Sequence, residues 1–185
     1  RFYHTKTITQ PTTTEFSAIY FSSTASAGTA IYNNYIYLIQ LTNGLTAANG
    51  LYLYNGNSTG SAIAVHNNRI QLGNAITATT FPIYGLRDNA LSGSLFNIYY
   101  NSVLVDGDAS AGSSNSAAFR KEVSNFINLK NNIFYNARTN SGGTGTHWGI
   151  SVNNTTFTSI NNNDYFADGT GGVLGTTTGL VAGNQ

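Results

Sequence analysis

The chain has no cysteine, no methionine and only two prolines among its 185 residues. Without cysteine, neither a disulfide framework nor a thiolate metal site can form, and redox chemistry says nothing about compartment. A chain that begins at Arg1 and contains no methionine is more easily a processed product or a piece of a longer protein than a complete reading frame. We therefore expect a fragment of something larger.

Charged residues are also scarce. They make up 8% of the sequence, against roughly 25% in an ordinary soluble domain. A net charge of +1 provides no basic stripe to neutralise phosphates, so nucleic acid is excluded as a predicted partner. The longest apolar stretches, such as Ile36 to Leu41, fall far short of the roughly 20 residues that span a bilayer. Membrane insertion is therefore not expected.

Most of the sequence consists of neutral polar and apolar residues. Apolar residues reach 41% of the sequence, which argues against disorder, because disordered chains are poor in aromatic and β-branched residues. No proline-rich or charged linker divides the chain, so residues 1–185 are predicted to form a single domain. Enrichment in Asn, Thr, Ser and Gly at the expense of Lys and Glu is common in extracellular bacterial β-solenoids, and it favours a secreted or cell-surface location.

A first internal repeat has the pattern apolar-x-x-Asn-x-apolar. Its asparagines recur at spacings of 31 to 34 residues, and they are Asn34, Asn68, Asn101, Asn132 and Asn163. A second unit alternates with it, a small residue or proline followed by an apolar residue, at Ile19, Leu51, Ile83, Phe119 and Ile150. The two repeats recur with nearly the same period, which indicates a solenoid with coils of about 32 residues.

The spacing within the asparagine unit determines the shape of the coil. Two apolar residues five apart face opposite sides of a straight strand, so both point inward only if the chain bends between them. We expect the asparagine to make this bend, because it tolerates left-handed backbone angles better than other residues that carry a side chain. Each coil then has three short strands, with one bend and two variable loops.

Stacked coils bring the five asparagines into one column, where their amides can form a hydrogen-bonded ladder. The sequence thus predicts an all-β fold, a right-handed parallel β-helix of about five coils. The predicted interior is Ile19, Ile31, Ile36, Leu51, Val65, Ile70, Ile83, Ile98, Val103, Phe119, Leu129, Phe134, Ile150, Ile160 and Tyr165.

Here the sequence resembles known proteins. An asparagine ladder at a bend between short parallel strands, over roughly residues 16–167, resembles that of pectate-lyase-like β-helices. The stretch from Phe126 to Gly175, with Asn131-Asn-Ile-Phe-Tyr-Asn136 and Thr170-Gly-Gly-Val-Leu-Gly175, is similar to repeat domains of very large secreted or surface proteins of Bacteroidetes-type bacteria. This second resemblance implies adhesion or structural spacing. The fold alone does not imply a function.

Catalysis on such a fold needs clustered carboxylates. The five aspartates and two glutamates of this chain fall at different phases of the repeat, which predicts a protein that is not an enzyme. Asp106 and Asp108 are candidate Ca²⁺ ligands, the alternative being an ordinary turn with solvated carboxylates. The three histidines, His4, His66 and His147, are predicted to lie on the surface. No other cofactor is expected.

Outward aromatic residues are the candidate binding surface. Tyr20, Tyr52 and Tyr84 follow inward residues of one strand, with Arg120 in the next place, and would form a column on which a sugar ring or partner could stack. The alternative is cross-strand stacking that only stabilises the sheet. A second outward column holds Tyr32, His66, Tyr99, Lys130 and Asn161, a mixture that indicates a solvated face.

Three functions remain open from the sequence. The first is a non-catalytic structural or adhesive segment of an exported surface or filament protein, with neighbouring domains or copies and glycans as partners. The second is a carbohydrate-binding or polysaccharide-degrading β-helix domain. The third is a self-assembling filament subunit, since neither end of the chain contains an obvious cap.

Overall fold

The computed structural model describes residues 2–3, 7–8, 15–22, 28–37, 40–41, 45–54, 61–74, 76, 80–153 and 157–176. Within these ranges the chain forms β-strands and no helix. No described segment is therefore a helix long and apolar enough to cross a membrane.

The strands assemble into three long parallel sheets, which we number in the order the chain visits them in each coil. Sheet 1 contains β3 (Glu15–Phe21), β7 (Ala47–Leu53), β10 (Ile83–Asp88), β14 (Ser116–Lys121), β18 (His147–Val152) and β21 (Gly172–Gly175). Sheet 2 contains β4 (Ala30–Tyr32), β8 (Ile63–His66), β11 (Leu95–Tyr99), β15 (Phe126–Lys130) and β19 (Ser159–Asn161). Sheet 3 contains β1 (Phe2–Tyr3), β5 (Tyr35–Tyr37), β9 (Arg69–Leu72), β12 (Ser102–Val105), β16 (Ile133–Asn136) and β20 (Asp164–Ala167).

Two short parallel pairs extend the coils beyond sheet 3. They join β2 (Thr7–Ile8) to β6 (Gln40–Leu41), and β13 (Asp108–Ala109) to β17 (Thr139–Asn140). Every pairing in the three sheets links a strand to its counterpart one coil away. The prediction of a parallel β-solenoid with three short strands per coil is confirmed.

The number of turns is slightly smaller than expected. The chain makes one full turn between each pair of neighbouring strands in sheet 2, so the five strands correspond to about four turns. The repeat predicts about five coils. At about 4.8 Å per strand spacing, four turns advance the structure by roughly 19 Å. Partial coils contribute the additional strands at the edges of sheets 1 and 3.

The predicted interior is confirmed. Of its fifteen members, Ile19, Ile160 and Tyr165 are partly buried and pack against the core, and the other twelve are buried in it. Further apolar side chains, such as Phe81, Phe96 and Leu53, complete the core. Burying a residue of this size from water contributes about 1.5 to 3 kcal/mol, so apolar contact between coils is the largest favourable contribution to folding.

The register of the third coil differs from the expectation. Leu86, and not Ile83, pairs with Leu51 on one side and with Phe119 on the other. Ile83 is buried too, but it pairs with Ala48 and Ser116. The displacement of three residues arises because Pro82-Ile83-Tyr84 imitates the repeat unit that Gly85-Leu86-Arg87 provides.

A column of small residues marks the correct register. Gly85 lies opposite Gly50 and Ala118, and a Cβ atom on Gly85 would lie 2.2 Å from Val103 Cγ1 and 2.8 Å from the carbonyl oxygen of Ala118. The side chains of sheet 3 therefore approach the backbone of sheet 1 closely at this position. Glycine is therefore required at position 85, and the equivalent position in each of the other coils also holds glycine or alanine.

The asparagine ladder is present and continuous. In each step the side-chain Nδ2 donates to Oδ1 of the next asparagine at 2.8 to 2.9 Å, and the backbone N–H donates to the same oxygen at 3.0 to 3.1 Å. The second Nδ2 hydrogen of Asn101 reaches back to the carbonyl of Val65 at 2.9 Å. Asn68, Asn132 and Asn163 make the equivalent bond.

The left-handed backbone conformation lies one residue before each ladder position, which corrects the expectation that the ladder asparagines adopt it. Positive φ angles of 51° to 57° occur at Asn33, Asn67, Tyr100, Asn131 and Asn162. The bend thus uses two consecutive residues, one for the turn and one for the hydrogen bonds. Tyr100 departs from the asparagine pattern, and a bulky side chain in this conformation costs about 1 to 2 kcal/mol.

Removing one central amide tests the ladder. We expect Asn101→Ala to lower the free energy of unfolding by about 3 kcal/mol, because two buried donors of Asn68 lose their acceptor. Asn34→Ala, at the first position of the ladder, keeps its backbone N–H and removes only the Nδ2 group that donates to Asn68 Oδ1 and to the Tyr32 carbonyl, so it should cost about 1 kcal/mol. Urea denaturation followed by circular dichroism measures both. Equal losses in the two variants would contradict a ladder whose interior amides depend on each other.

Candidate functional site

The tyrosine column predicted on sheet 1 is only partly formed. Tyr20 pairs with Tyr52 as expected, but the next place is occupied by Arg87, followed by Arg120. Tyr84 lies three residues earlier along its strand and pairs with Asn49 and Ala117. Its predicted place in the column is therefore wrong, for the reason of register given above.

Arg87 occupies the centre of this outer face. Its guanidinium carbon lies 4.6 Å from the ring centroid of Tyr52 and 5.1 Å from that of Tyr84. The same group donates to Glu15 Oε1 at 2.9 Å and to Glu122 Oε2 at 2.9 and 3.0 Å. Burial acts to lower the pKa of Arg87, but the contacts with Glu15 and Glu122 outweigh burial and raise it. Arg87 therefore remains charged and contacts both glutamates and both tyrosine rings.

The remaining charge on this face is also paired. Arg120 lies 3.3 Å from Glu122 and donates to the hydroxyl of Ser151. Two positive and two negative side chains therefore neutralise each other across four coils. Such a network stabilises the sheet and leaves no unpaired guanidinium for a ligand, since Arg87 and Arg120 already have protein partners.

Access to the tyrosines differs from ring to ring. Tyr52 is only 5% exposed and its hydroxyl accepts a hydrogen bond from Asn89 at 3.0 Å. Tyr20 is 52% exposed and stacks on Tyr54, which is 41% exposed, with ring centroids 5.5 Å apart. A ligand on this face would contact Tyr20 and Tyr54. The binding role proposed for Tyr20, Tyr52, Tyr84 and Arg120 stays a prediction.

The two aspartates of the Asp106-Gly-Asp108 turn bind separate partners. Asp106 Oδ2 accepts from Gln71 at 2.9 Å, whereas Asp108 Oδ1 accepts from the Ser141 backbone N–H at 2.9 Å and from Thr139 at 3.1 Å. A hydrogen bond from the Ser141 hydroxyl keeps the pKa of Asp108 below its usual range. Both carboxylates thus tie neighbouring coils together.

Backbone carbonyls near these aspartates are also engaged. The buried guanidinium of Arg138 donates to the carbonyl oxygens of Asp106 at 3.1 Å, Ile76 at 3.0 Å and Asp108 at 3.4 Å. The Arg138 guanidinium therefore already binds the backbone carbonyl oxygens that would act as ligands of a metal ion at this turn. Among the described residues, no group of three or more His, Asp or Glu side chains is arranged to hold a metal.

The second outward column is ordered, which the sequence did not suggest. On sheet 2 the rings of Tyr32, His66 and Tyr99 stack with centroid distances of 5.1 and 5.0 Å and interplanar angles of 8° and 2°. Lys130 follows in the next coil, in register with Tyr99. The sequence indicates a solvated face here because the residue types in the column differ. Comparing the shapes of the side chains would have identified it, since all three are flat rings.

A groove lies beside this column. Its walls include Tyr99, Tyr100, Asn128 and Lys130, and its volume is about 340 Å³. Asn97 and Asn131 complete the lining. Tyr100 is 59% exposed and meets Tyr99 edge to face at a centroid distance of 5.5 Å. The positive φ angle of Tyr100 turns this side chain out of the strand pattern at the rim of the groove.

Amide groups at the groove are held in place by a short polar ladder. Asn128 Nδ2 donates to Asn97 Oδ1 at 2.7 Å, and the Ser159 hydroxyl donates to Asn128 Oδ1 at 2.8 Å. Fixed amides beside the rings of Tyr99 and Tyr100 and a lysine form a site with polar and apolar contacts in the same small volume. This combination suits a polar ring-shaped ligand.

His147 contradicts the expectation that the histidines lie on the surface. It is fully buried, with Nδ1 2.9 Å from the Ser116 hydroxyl and Nε2 2.9 Å from Asn140 Oδ1. His66 is half-buried within the aromatic column, and His4 lies outside the described residues. Because Ser116 is also fully buried, no substrate reaches this Ser-His-Asn chain. It serves as an internal polar contact between coils.

Comparison of the chain with protein-family models, with curated proteins and with solved structures gives no match. The chemistry of the outer faces must therefore be inferred from the residues of this chain.

Burial and the nearby Arg138 lower the pKa of His147 to about 4. The unfolded chain has a histidine pKa of about 6.5, so between these values the unfolded state binds a proton that the folded state does not. Stability should therefore fall as the pH drops from 6.5 to 4, by up to about 1.4 kcal/mol per pH unit.

The variant His147→Gln isolates this effect, because glutamine remains neutral. Asp88, whose pKa burial raises to about 6, acts in the opposite direction, but equally in both proteins. We expect the stability advantage of the parent chain over His147→Gln to shrink as the pH falls from 7 to 4.5, measured by urea denaturation. An advantage that is constant with pH would show that His147 binds a proton as readily in the folded state as in the unfolded chain.

Proposed function

We propose that this chain is a non-catalytic structural and adhesive segment of a protein exported to the bacterial cell surface or into a filament. The observation that carries the proposal is the continuity of the ladder and sheets through the central coils, combined with charges that are engaged in contacts between coils. The structure adds about 4.8 Å for each coil. Its regularity suits a spacer that displays its outer faces.

The resemblance in sequence supports the same function. The sequence of the ladder resembles that of pectate-lyase-like β-helices, and residues 126–175 resemble repeat domains of large surface proteins of Bacteroidetes-type bacteria. We also propose that the chain belongs to this group, that its coil is right-handed and that it is secreted. Neighbouring domains or other copies of the protein would be the partners of such a segment.

The arrangement of carboxylates supports a role without catalysis. Glu15 and Glu122 are both paired with Arg87, and Asp88 is paired with Lys121. Asp168 accepts a hydrogen bond from Tyr135 at 2.7 Å. Acid and base catalysis on a polysaccharide needs two carboxyl groups that face one substrate, and these groups instead face partners within the protein.

Two measurements test this proposal. Antibodies against the folded chain should label intact cells of the organism that produces it, and incubation with acidic polysaccharides should release no new reducing ends or unsaturated products. Labelling confined to permeabilised cells would contradict the surface location, and steady product release would contradict a non-catalytic role.

Light scattering over a range of concentrations tests end-to-end association, which stays a prediction.

The groove on sheet 2 favours a second function, carbohydrate binding. The exposed ring of Tyr100 and the half-buried ring of Tyr99 offer apolar surface to a sugar, while Asn128 and Asn97 offer amide hydrogen bonds. Lys130 adds a positive charge, and none of the described residues that line the groove is acidic, so a sugar that carries a carboxylate is favoured over a neutral one. This groove lies on sheet 2, whereas the tyrosine column predicted from the sequence lies on sheet 1.

Tyr100→Asn tests this groove without disturbing the bend, because asparagine occupies the equivalent position in the other coils. We expect a roughly two- to twelvefold loss of affinity for uronate-containing oligosaccharides, from a lost stacking contact of about 0.5 to 1.5 kcal/mol. A glycan array followed by calorimetric titration measures it. The matched control, Tyr20→Ala on sheet 1, should bind as the parent chain does. A loss confined to Tyr20→Ala would transfer the site to sheet 1.

A further inference from the structure

A buried group of three polar side chains lies at the end of sheet 1, in the turn toward sheet 2. Asp88 and Lys121 pair across adjacent coils at a position that holds Leu53 and Val152 in the coils on either side. Asp88, Lys121 and Asn125 are each fully buried. Two opposite charges and an amide thus replace apolar side chains in the core, at a cost in desolvation that burial of this kind always carries.

The three groups are arranged in a closed triangle. Lys121 Nζ contacts Asn125 Oδ1 and lies 3.3 Å from Asp88 Oδ2. Asn125 Nδ2 donates to Asp88 Oδ1 at 2.9 Å. The aspartate therefore contacts both the amine and the amide nitrogen, and the amine lies against the amide carbonyl.

The surroundings limit access and set the electrostatics. The ring of Phe157 lies 5.7 Å from Lys121 Nζ, which also donates to the backbone carbonyls of Val123 and Asn125 at 2.7 and 3.1 Å. Burial raises the pKa of Asp88 to about 6 and lowers the pKa of Lys121. Both shifts favour transfer of the proton from the amine to the carboxylate, and only the neutral amine is a nucleophile.

We propose that Lys121 and Asn125 form an intramolecular amide bond in the folded protein, with Asp88 as the proton carrier. Lys121 Nζ attacks Cγ of Asn125, forming a carbon–nitrogen bond and a tetrahedral intermediate. Asp88, which holds the proton it took from the Lys121 ammonium group, donates that proton to Nδ2 and then accepts one from the attacking nitrogen. The bond from Cγ to Nδ2 then breaks and ammonia leaves, so that amine and amide are exchanged for a new amide and ammonia without any oxidant or added reagent.

The fold supplies what this reaction lacks in an unfolded chain. Three residues separate the lysine and asparagine in sequence, a spacing at which the side chains can meet, but the aspartate comes from the preceding coil. Only the stacked coils hold the amine, the amide and the acid within hydrogen-bonding distance, with water excluded. The product would fix the turn between β14 and β15 covalently, a property beyond the spacer role proposed above.

The intact mass of the purified full chain tests the proposal directly. We expect a mass lower than that of the sequence by about 17 Da, because ammonia is lost when the lysine amine acylates. A mass equal to that of the sequence, in protein kept folded at neutral pH for several days, would overturn the proposal. It would leave Asp88 and Lys121 as a permanent ion pair.

Peptide mapping locates the bond and excludes cyclisation of Asn125 onto its own backbone, which also releases ammonia. Trypsin cannot cleave after an acylated lysine, so the crosslinked chain should yield one peptide from Lys121 to Lys130. Its mass should be about 17 Da below the mass calculated from its sequence, because ammonia has been lost. Cleavage after Lys121 together with the same mass loss would indicate cyclisation and overturn the proposal.

Variants assign the roles. Asp88→Asn removes the proton carrier with little change in volume and should restore the mass expected from its own sequence, as should Lys121→Met. Lys130→Met, a change at an exposed lysine on sheet 2, is the matched control and should retain the loss of ammonia. Loss of ammonia that persists in a folded Asp88→Asn protein would exclude Asp88 from the reaction. The parent mass decides the central claim even if a core variant does not fold.

Discussion

Burying a column of primary amides is the constraint on which the rest of this structure depends. An asparagine side chain carries two donors and an acceptor, and leaving any of them unpaired inside the fold costs about 1 to 3 kcal/mol. In the column from Asn34 to Asn163 each amide satisfies its neighbour only when consecutive coils stay aligned. Apolar contacts supply most of the free energy of folding, but they tolerate sliding. The amides do not, and they fix the register.

That alignment also organises the outer faces. Side chains at equivalent places in successive coils lie one strand spacing apart, so flat rings stack and opposite charges meet without any long-range design. The stack of Tyr32, His66 and Tyr99 and the cluster around Arg87 are both products of this geometry. A polar contact that would be marginal on an isolated strand becomes part of a ladder, and surface chemistry in this protein is therefore arranged in columns.

Sequence reasoning recovered the ladder, the interior and the parallel coils, because these depend on period and polarity, which the sequence displays directly. Tyr84 is misplaced because Pro82-Ile83-Tyr84 has the apolar and aromatic order of the earlier units Ala18-Ile19-Tyr20 and Gly50-Leu51-Tyr52. The true unit of this coil, three residues later, has Arg87 where those units have tyrosine. Packing against Val103, which requires a glycine at position 85, decides between them, and that contact is invisible without a fold. Burial of His147 and the triangle around Asp88 were missed for a related reason, since polar side chains inside the core break the pattern by which a core is recognised.

The ladder has a direction. Every step donates from the earlier asparagine to the later one, and the reverse step never occurs among the described coils. Any two adjoining coils therefore present the same donor edge and the same acceptor edge as any other two. Gene duplication or deletion of one whole coil would leave all remaining bonds intact, whereas a gain or loss of half a coil would set unlike edges against each other. Arrays of this kind can change length in evolution by whole turns.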